Sequence, residues 1–171
     1  MAPSELEERD TPVDIAFDAD VVDVAAGWRH LCVLEQQGLV YCWGSNETGQ
    51  LGRDVEEMDH RPEPIDGLTS VSGLAAGWGG HSCAIVDDGL YCWGDAEQGQ
   101  VGDGRSGSGE IVSTPVRVVD EPVSDVAAGL AHTCAVTDES RIYCWGSGES
   151  GQLGNGASLT VVDEPTPLIG P

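Results

Sequence analysis

Apolar and polar residues alternate with a period of two in three stretches of this chain. In each stretch, two short runs rich in β-branched, aromatic and cysteine residues flank a polar turn, and these turns lie at 35–38, 87–89 and 137–140. Alternation of this kind predicts half-buried β-strands, and two such runs around a short polar segment predict a β-hairpin. No segment has a sustained apolar stripe at helical spacing, so the pattern predicts an all-β protein.

Each hairpin belongs to a unit that is written three times. A unit holds Gly-x-x-His-x-Cys, then Tyr-Cys-Trp-Gly, then Gly-Gln-x-Gly, with one residue inserted before the histidine in the second copy. The tryptophan of the middle motif recurs at intervals of 50 and then 52 residues. Repeats of this length are typical of propeller blades and solenoids. We therefore predict a partial β-propeller of three antiparallel blades, each with up to four short strands.

Proline-containing segments suggest where the repeats begin. They occur four times, at residues 11–15, 61–65, 113–117 and 164–168. If each starts a repeat, the chain holds three repeats and the opening strand of a fourth, with boundaries at about 12–60, 61–112 and 113–163. Residues 1–11 are polar and acidic, and they are predicted to be a disordered lead-in.

The insertion in the second copy lies at Gly79 and Gly80, and the spacing between the two cysteines of that copy is shorter by one. A slip of one residue would turn the buried face of a strand to solvent. We therefore predict that the inserted glycine forms a β-bulge and that the shorter turn restores the register.

The six cysteines lie in pairs at mirror positions about the hairpin turns, which places the members of a pair opposite each other. Cross-strand Cα separations of about 4.5–5.5 Å fall within disulfide range. Paired cysteines favour an oxidising compartment, that is, an extracellular, periplasmic or cell-surface protein. The alternative is six reduced, buried thiols in a cytoplasmic protein. The predicted pairs are Cys32–Cys42, Cys83–Cys92 and Cys134–Cys144.

The composition is strongly acidic, with a formal net charge of -23, and all seven basic residues are arginines. Such a surface repels phosphate backbones, so neither nucleic acid nor an anionic membrane is an expected partner. No run approaches the ~18 apolar residues of a membrane helix, and residues 1–8 lack the basic and apolar regions of a secretion signal. The acidity has two open interpretations, which are solubility, including in a salty habitat, and a basic protein partner.

Residue types that could bind a metal or act in catalysis recur in every copy, and this recurrence favours structural roles for them. One histidine and two cysteines supply three ligands where structural zinc takes four, so no metal is predicted. Active sites are not normally triplicated, so we predict no catalytic residue, no cofactor and no enzyme activity. The repeated histidines and tryptophans are predicted to pack or hydrogen-bond between blades, and these residues are His30, His81, His132, Trp43, Trp93 and Trp145.

Trp28 and Trp78 differ, because the equivalent position in the third copy is Leu130. The fold therefore does not demand tryptophan there. One interpretation is an exposed patch that includes Arg29 and binds a protein, since Trp and Arg are frequent interface anchors. The other is packing between blades.

The three motifs, in fixed order and over residues 12–171, resemble the repeats of the regulator-of-chromosome-condensation family. The resemblance implies a β-propeller, usually of six or seven blades. A ring needs all its blades to bury both flanks of each sheet, so three blades leave two open ends. The chain is therefore expected to be a fragment of, or a protomer for, a complete propeller.

Members of this family include exchange factors for a small nuclear GTPase, chromatin binders and a secreted bacterial β-lactamase inhibitor. The paired cysteines and the acidity make this chain most similar in style to the secreted bacterial type. The resemblance implies a protein–protein interaction module that presents loops and one face to a protein partner. Two alternatives stay open: a guanine-nucleotide exchange factor for a small GTPase, and a structural unit that closes a propeller as a homo-oligomer or with further repeats.

Overall fold

The structure is a computed structural model that describes residues 14–54, 58–156 and 161–168. Within these ranges it contains twelve β-strands and no helix, arranged as three sheets of four strands. Within each sheet, every strand pairs antiparallel with the strand that follows it along the chain. The prediction of an all-β chain with three antiparallel blades is therefore confirmed.

The three sheets share one strand order. The first sheet consists of β1 (Val21–Ala26), β2 (His30–Glu35), β3 (Val40–Ser45) and β4 (Met58–Pro64). The second sheet consists of β5 (Val71–Ala76), β6 (His81–Val86), β7 (Gly89–Asp95) and β8 (Ile111–Val119). The third sheet consists of β9 (Val123–Ala128), β10 (His132–Thr137), β11 (Ile142–Ser147) and β12 (Val161–Pro167). Strands β1, β5 and β9 are neighbours in space, so the sheets stand side by side around their first strands.

Three of the four proline-containing segments, those at 61–65, 113–117 and 164–168, lie in or at the end of the last strand of a sheet and not in the first. In the third sheet β12 pairs with β11, with Pro167 opposite Tyr143 and Val161 opposite Ser147. The segment that we predicted to open a fourth repeat thus completes the third sheet, and the sheets are offset from the predicted repeat boundaries. An edge strand tolerates proline because its N–H is not needed by a further neighbour. The predicted lead-in at 1–11 lies outside the described residues.

The two cysteines of each hairpin lie directly opposite each other and are disulfide-bonded. Their Cα atoms are 4.2, 4.1 and 4.2 Å apart in the pairs Cys32–Cys42, Cys83–Cys92 and Cys134–Cys144. Each disulfide therefore joins two neighbouring strands of one sheet, and none joins two sheets.

The inserted glycine of the second copy does not form a bulge within a strand, contrary to our prediction. It lies in the connection between β5 and β6, and β6 begins at His81 opposite Gly94, just as β2 begins at His30 opposite Gly44. The register is kept because a loop absorbs the extra residue before the ladder starts.

Close packing around the histidine explains two glycines of the repeated unit. A Cβ added to Gly27 would lie 2.1 Å from Cε1 of His30. Gly44, with φ of 112°, would bring a Cβ within 2.4 Å of the carbonyl oxygen of Arg29. The same two conflicts recur in the second and third sheets. The Gly-x-x-His and Trp-Gly motifs are therefore steric requirements of the fold.

Neighbouring sheets bury a hydrophobic core between them. The tryptophan of Tyr-Cys-Trp-Gly is central to each core, because Trp93 and Trp145 are fully buried. Trp43 occupies the same position in the first sheet but is only partly buried, since no described sheet precedes it. Its ring packs instead near Phe17, with the centroids 6.3 Å apart.

A polar link crosses the core between the first and second sheets. The hydroxyl of Ser82 donates to the backbone carbonyl oxygen of Gln50 at 3.2 Å, and the indole N–H of Trp93 donates to the same oxygen at 2.9 Å. Nε2 of His30 lies 2.8 Å from the Ser82 hydroxyl oxygen. Because the single hydroxyl proton of Ser82 is used in the hydrogen bond to Gln50, the proton of the neutral imidazole lies on Nε2. That N–H donates a hydrogen bond to the hydroxyl oxygen of Ser82.

The second and third sheets are joined in the same way. Nε2 of His81 lies 3.0 Å from the hydroxyl oxygen of Thr133, which donates to the carbonyl oxygen of Gln100 at 2.8 Å. The indole of Trp145 donates to that carbonyl at 2.9 Å. We call this arrangement of histidine, hydroxyl, carbonyl and indole the inter-sheet link.

Ser82→Ala should lower the free energy of unfolding by about 1–3 kcal/mol, because it leaves the buried N–H of His30 without an acceptor. Urea denaturation at pH 7 measures the change. Ser124→Ala is the matched control, since that hydroxyl bonds Val136 at the surface, and its effect should stay within about 0.5 kcal/mol. Equal losses in the two variants would contradict the role of the link.

The inter-sheet links should also make stability depend on pH. Burial lowers the pKa of His30 from 6.5 to about 4 and that of His81 to about 3. Below about pH 6.5 these histidines bind protons in the unfolded chain but not in the folded chain. Their contribution to the free energy of unfolding is therefore full above that pH and decreases as the pH falls below it. Between pH 6.5 and 4 we expect a loss of at most about 1.4 kcal/mol per pH unit for each histidine.

Urea titrations at pH 7, 6 and 5 test this dependence. His81→Gln keeps an amide N–H but cannot titrate, so its pH slope should be smaller than that of the wild type by about one proton. A slope identical to the wild type would show that His81 does not contribute.

Candidate functional site

Three exposed apolar side chains lie on one face of the molecule, on the loops that follow the first strand of each sheet. Trp28, Trp78 and Leu130 each come directly after the glycine that packs against the histidine. Their exposed fractions are 64%, 63% and 62%. Neighbouring exposed apolar side chains mark interaction surfaces more than scattered ones do. We call the surface formed by these three residues and Arg29 the loop face.

The two tryptophans of the loop face contact each other. The ring centroids of Trp28 and Trp78 are 5.5 Å apart and the rings meet edge to face. This is a favourable geometry for an aromatic pair. Beside it lies a shallow depression of about 410 Å³ that also includes Thr48 and Leu130.

Backbone contacts hold the second loop against the third. The N–H of Trp78 donates to the carbonyl oxygen of Gly129 at 3.1 Å. A Cβ added to Gly79 would lie 1.9 Å from the carbonyl oxygen of Leu130, so only glycine allows this approach. The inserted residue of the second copy thus brings two loops of the face together. The Trp78 backbone is fixed while its indole remains exposed.

Thr48 ties the first sheet to the second at the same face. Its hydroxyl group is within hydrogen-bonding distance of two acceptors, Oε1 of Gln50 at 2.8 Å and the carbonyl oxygen of Gly80 at 3.2 Å. The Thr48 N–H also donates to Oε1 of Gln50, at 2.9 Å. The loop face is therefore preorganised, which reduces the entropy lost when a partner binds.

The charges around the face are mixed. Nη1 of Arg29 lies 3.4 Å from Oε2 of Glu47, with both side chains about half exposed. Such a surface pair is weak and leaves the guanidinium available to a partner. Asp95 lies next to Gly80, and its burial raises the pKa of its carboxyl group.

A second depression, of about 530 Å³, lies at the opposite end of the second and third sheets. Its arginines are already neutralised by carboxylates. Arg117 is 3.2 Å from Asp88 and 2.9 Å from Asp120, and Arg141 pairs with Glu121. The arginines of this groove are paired with carboxylates, whereas the loop face exposes apolar side chains. We therefore place the candidate site on the loop face.

The structure brings together the three residues that we predicted as a binding patch, Trp28, Arg29 and Trp78. The repeated histidines and tryptophans lie in or beside the cores between the sheets, and His30 also borders the depression at the loop face. Sequence analysis did not identify Leu130 and Thr48 as part of the face. The position that Leu130 shares with the two tryptophans was a usable signal, whereas nothing in the sequence pointed to Thr48.

Two further classes of site have no support in the described ranges. No group of three or more His, Cys, Asp or Glu side chains in the described residues is arranged to hold a metal ion. No helix in that part of the chain has the length and apolar character needed to cross a membrane.

Three similar four-stranded sheets, joined by the same inter-sheet link, define the chain as a β-propeller repeat protein. A sequence profile of the regulator of chromosome condensation (RCC1) repeat matches residues 21–50, 71–100 and 123–152. A second profile of this repeat matches residues 37–85, 87–136 and 139–171. The chain belongs to the RCC1 repeat family.

Curated relatives are much longer than this chain. The ultraviolet-B receptor UVR8 of Arabidopsis thaliana is 37% identical over 139 residues, which is 80% of this chain and 31% of the receptor. The human probable E3 ubiquitin-protein ligase HERC4 is 43% identical over 155 residues, which is 89% of this chain and 14% of the ligase. The chain therefore spans less than a third of either relative.

Solved structures show the same fold. Human WBSCR16 superposes with a TM-score of 0.80 and 25% identity, over 91% of this chain and 42% of that protein. Prp20p of Saccharomyces cerevisiae superposes with a TM-score of 0.76 and 28% identity, over 88% of this chain and 38% of Prp20p. Prp20p has characterised binding properties toward Gsp1p and histones.

Trp28→Ala and Trp78→Ala should each lower the free energy of unfolding by only about 0.5–1.5 kcal/mol, the value of an aromatic pair. Trp93→Ala is the matched comparison, and it should cost about 3–5 kcal/mol because it empties a packed core. Urea denaturation measures all three. A loss at Trp28 as large as that at Trp93 would show that the indole serves packing and not a surface.

Proposed function

We propose that this chain is a protein–protein interaction module that binds its partner through the loop face. The observation that carries the proposal is the contacting pair of exposed tryptophans, of which Trp78 has its backbone held by a hydrogen bond to the neighbouring loop. Burial of two indoles beside an arginine is a typical composition for the centre of an interface. The proposal assigns no catalytic step to the chain.

The charge of the chain indicates the kind of partner. A net charge of -23 with no lysine produces a negative field that attracts basic proteins and repels nucleic acids. We propose a partner with a basic surface and an apolar recess that accepts the edges of Trp28 and Trp78. Its basic groups would speed encounter, and the indoles would supply most of the binding energy. The binding properties of Prp20p toward Gsp1p and histones support a protein partner in general terms.

The three disulfides support a protein that works in an oxidising environment. We propose a secreted or cell-surface location, including the periplasm, and a partner that is met there. In that setting a disulfide bond holds the two strands of each hairpin together, and the loop face is free to bind.

A comparison of captured proteins tests the proposed face. The immobilised full chain is exposed to a secreted-protein fraction from its source, and bound proteins are quantified by mass spectrometry. The double variant Trp28→Ala/Trp78→Ala should reduce recovery of the main bound protein by about tenfold or more, as loss of interface hot spots does.

Ile15→Ala is the matched control, because Ile15 is an exposed apolar residue, 45% exposed, that does not line the loop face. It should leave recovery unchanged. The captured protein should be basic, and its binding should weaken as salt is raised. Equal recovery with the double variant would refute the assignment of the loop face.

A further inference from the structure

The depression at the loop face has a buried hydroxyl group in its lining. Ser45, the last residue of β3, lines the depression and is only 2% exposed. Within the residues that the structure describes, its hydroxyl oxygen has no hydrogen-bond partner. A buried polar group without a partner costs free energy of folding, so each such group in a folded protein needs a physical explanation.

This hydroxyl is a feature of the first sheet and not of the repeated fold. Nδ1 of His30 and Nδ1 of His81 are also buried without a partner in the described ranges, but that atom recurs in two sheets. Asp95 stands at the position of Ser45 in the second sheet, and its Oδ1 accepts from the N–H of Glu97 at 2.8 Å. The second sheet thus uses this position to hold its own loop, and the Ser45 hydroxyl makes no equivalent bond.

The groups around this hydroxyl favour a cation. Glu47 and Asp95 place two carboxylates near the depression, and Arg29 places one guanidinium there. The exposed indoles of Trp28 and Trp78 add aromatic faces, which attract cations. The net charge of -23 gives the whole chain the same preference. The local and the overall charge therefore agree.

The hydrogen-bonding groups at the depression suit an ammonium better than a guanidinium. The Thr48 hydroxyl already has Gln50 and Gly80 as partners. In the described lining this leaves the Ser45 hydroxyl and the Glu47 carboxylate as the main side-chain acceptors for a ligand. An ammonium has three donors and can use both acceptors, whereas a guanidinium has five donors in a rigid fork and would bury more of them without partners.

We propose that the depression binds a lysine side chain of the protein partner, whose ammonium group donates to Oγ of Ser45 and to the carboxylate of Glu47. The methylene groups of the lysine lie along the indoles of Trp28 and Trp78. The hydroxyl that costs stability in the free protein is paired in the complex. This inference rests on the proposed function of the loop face, and it names the group that the face recognises.

Nuclear magnetic resonance of the full chain tests the ligand without the partner. The probes are the N-acetyl methylamides of lysine, Nε-acetyl-lysine and arginine. The readout is the indole N–H signals of Trp28 and Trp78, which are assigned by their loss in Trp28→Ala and Trp78→Ala. The lysine probe should shift both signals saturably, with a dissociation constant in the millimolar range expected of a small fragment.

The other two probes should bind more weakly than lysine. The acetylated probe has no charge and should bind at least about tenfold more weakly, since it loses both the carboxylate and the cation–π attraction. The arginine probe should bind about threefold more weakly. The absence of saturable shifts with lysine would overturn the proposal, as would binding of either other probe as tightly as lysine.

Ser45→Ala separates a role in binding from a role in the fold. It should weaken binding of the lysine probe about fivefold. It should also raise Tm by about 2–4 °C, because it removes a buried group that has no partner in the free protein. Ser124→Ala is the control, since its hydroxyl bonds Val136 at the surface, and it should leave lysine binding unchanged and should not raise Tm. A lower Tm for Ser45→Ala, or unchanged lysine binding, would overturn the proposal.

Competition in the capture experiment distinguishes this inference from the proposed function. The lysine probe, added above its measured dissociation constant, should lower recovery of the captured protein, and the acetylated probe should not. If Trp28→Ala/Trp78→Ala lowers recovery but the lysine probe does not compete, the loop face stands and the lysine inference alone is overturned. If the double variant recovers the protein normally, the proposed function is overturned and this inference with it.

Discussion

A buried carbonyl oxygen that must be satisfied from the neighbouring sheet governs how this molecule is assembled. Apolar burial drives the sheets together, but it is not directional. The carbonyl oxygen of Gln50 accepts both the hydroxyl proton of Ser82 and the indole proton of Trp93, so the second sheet has one favourable position against the first. His30 then requires that same hydroxyl. Each link couples a loop of one sheet to two strands of the next and sets their alignment.

The candidate binding face depends on this arrangement. The histidine of the link packs against the glycine that precedes Trp28, and that close contact determines where the loop turns. The residue after the glycine is then directed away from the core, and its identity is free to vary between Trp and Leu. A structural constraint thus positions a side chain whose chemistry the fold does not require. This separation is what makes the loop face suited to recognition.

Features encoded locally could be predicted from the sequence. The period of two gave the strands, the repeat spacing gave three sheets, and mirror positions about each turn gave the cysteine pairs. The position within the repeat at which a sheet begins could not be found this way. The spacing of the repeat does not show whether the segment ending at Pro167 opens one sheet or closes another. The loop site of Gly79 and the surroundings of the Ser45 hydroxyl depend on what lies close in space, which one sequence does not contain.

The disulfides have a mechanical consequence. Every one of them joins adjacent strands within a sheet, and none spans the boundary between sheets. The covalent cross-links therefore lie within each repeat, whereas the interfaces between sheets are held by packing and hydrogen bonds. Under a pulling force the sheets would separate from one another first, and the hairpins between paired cysteines would be the last segments to extend.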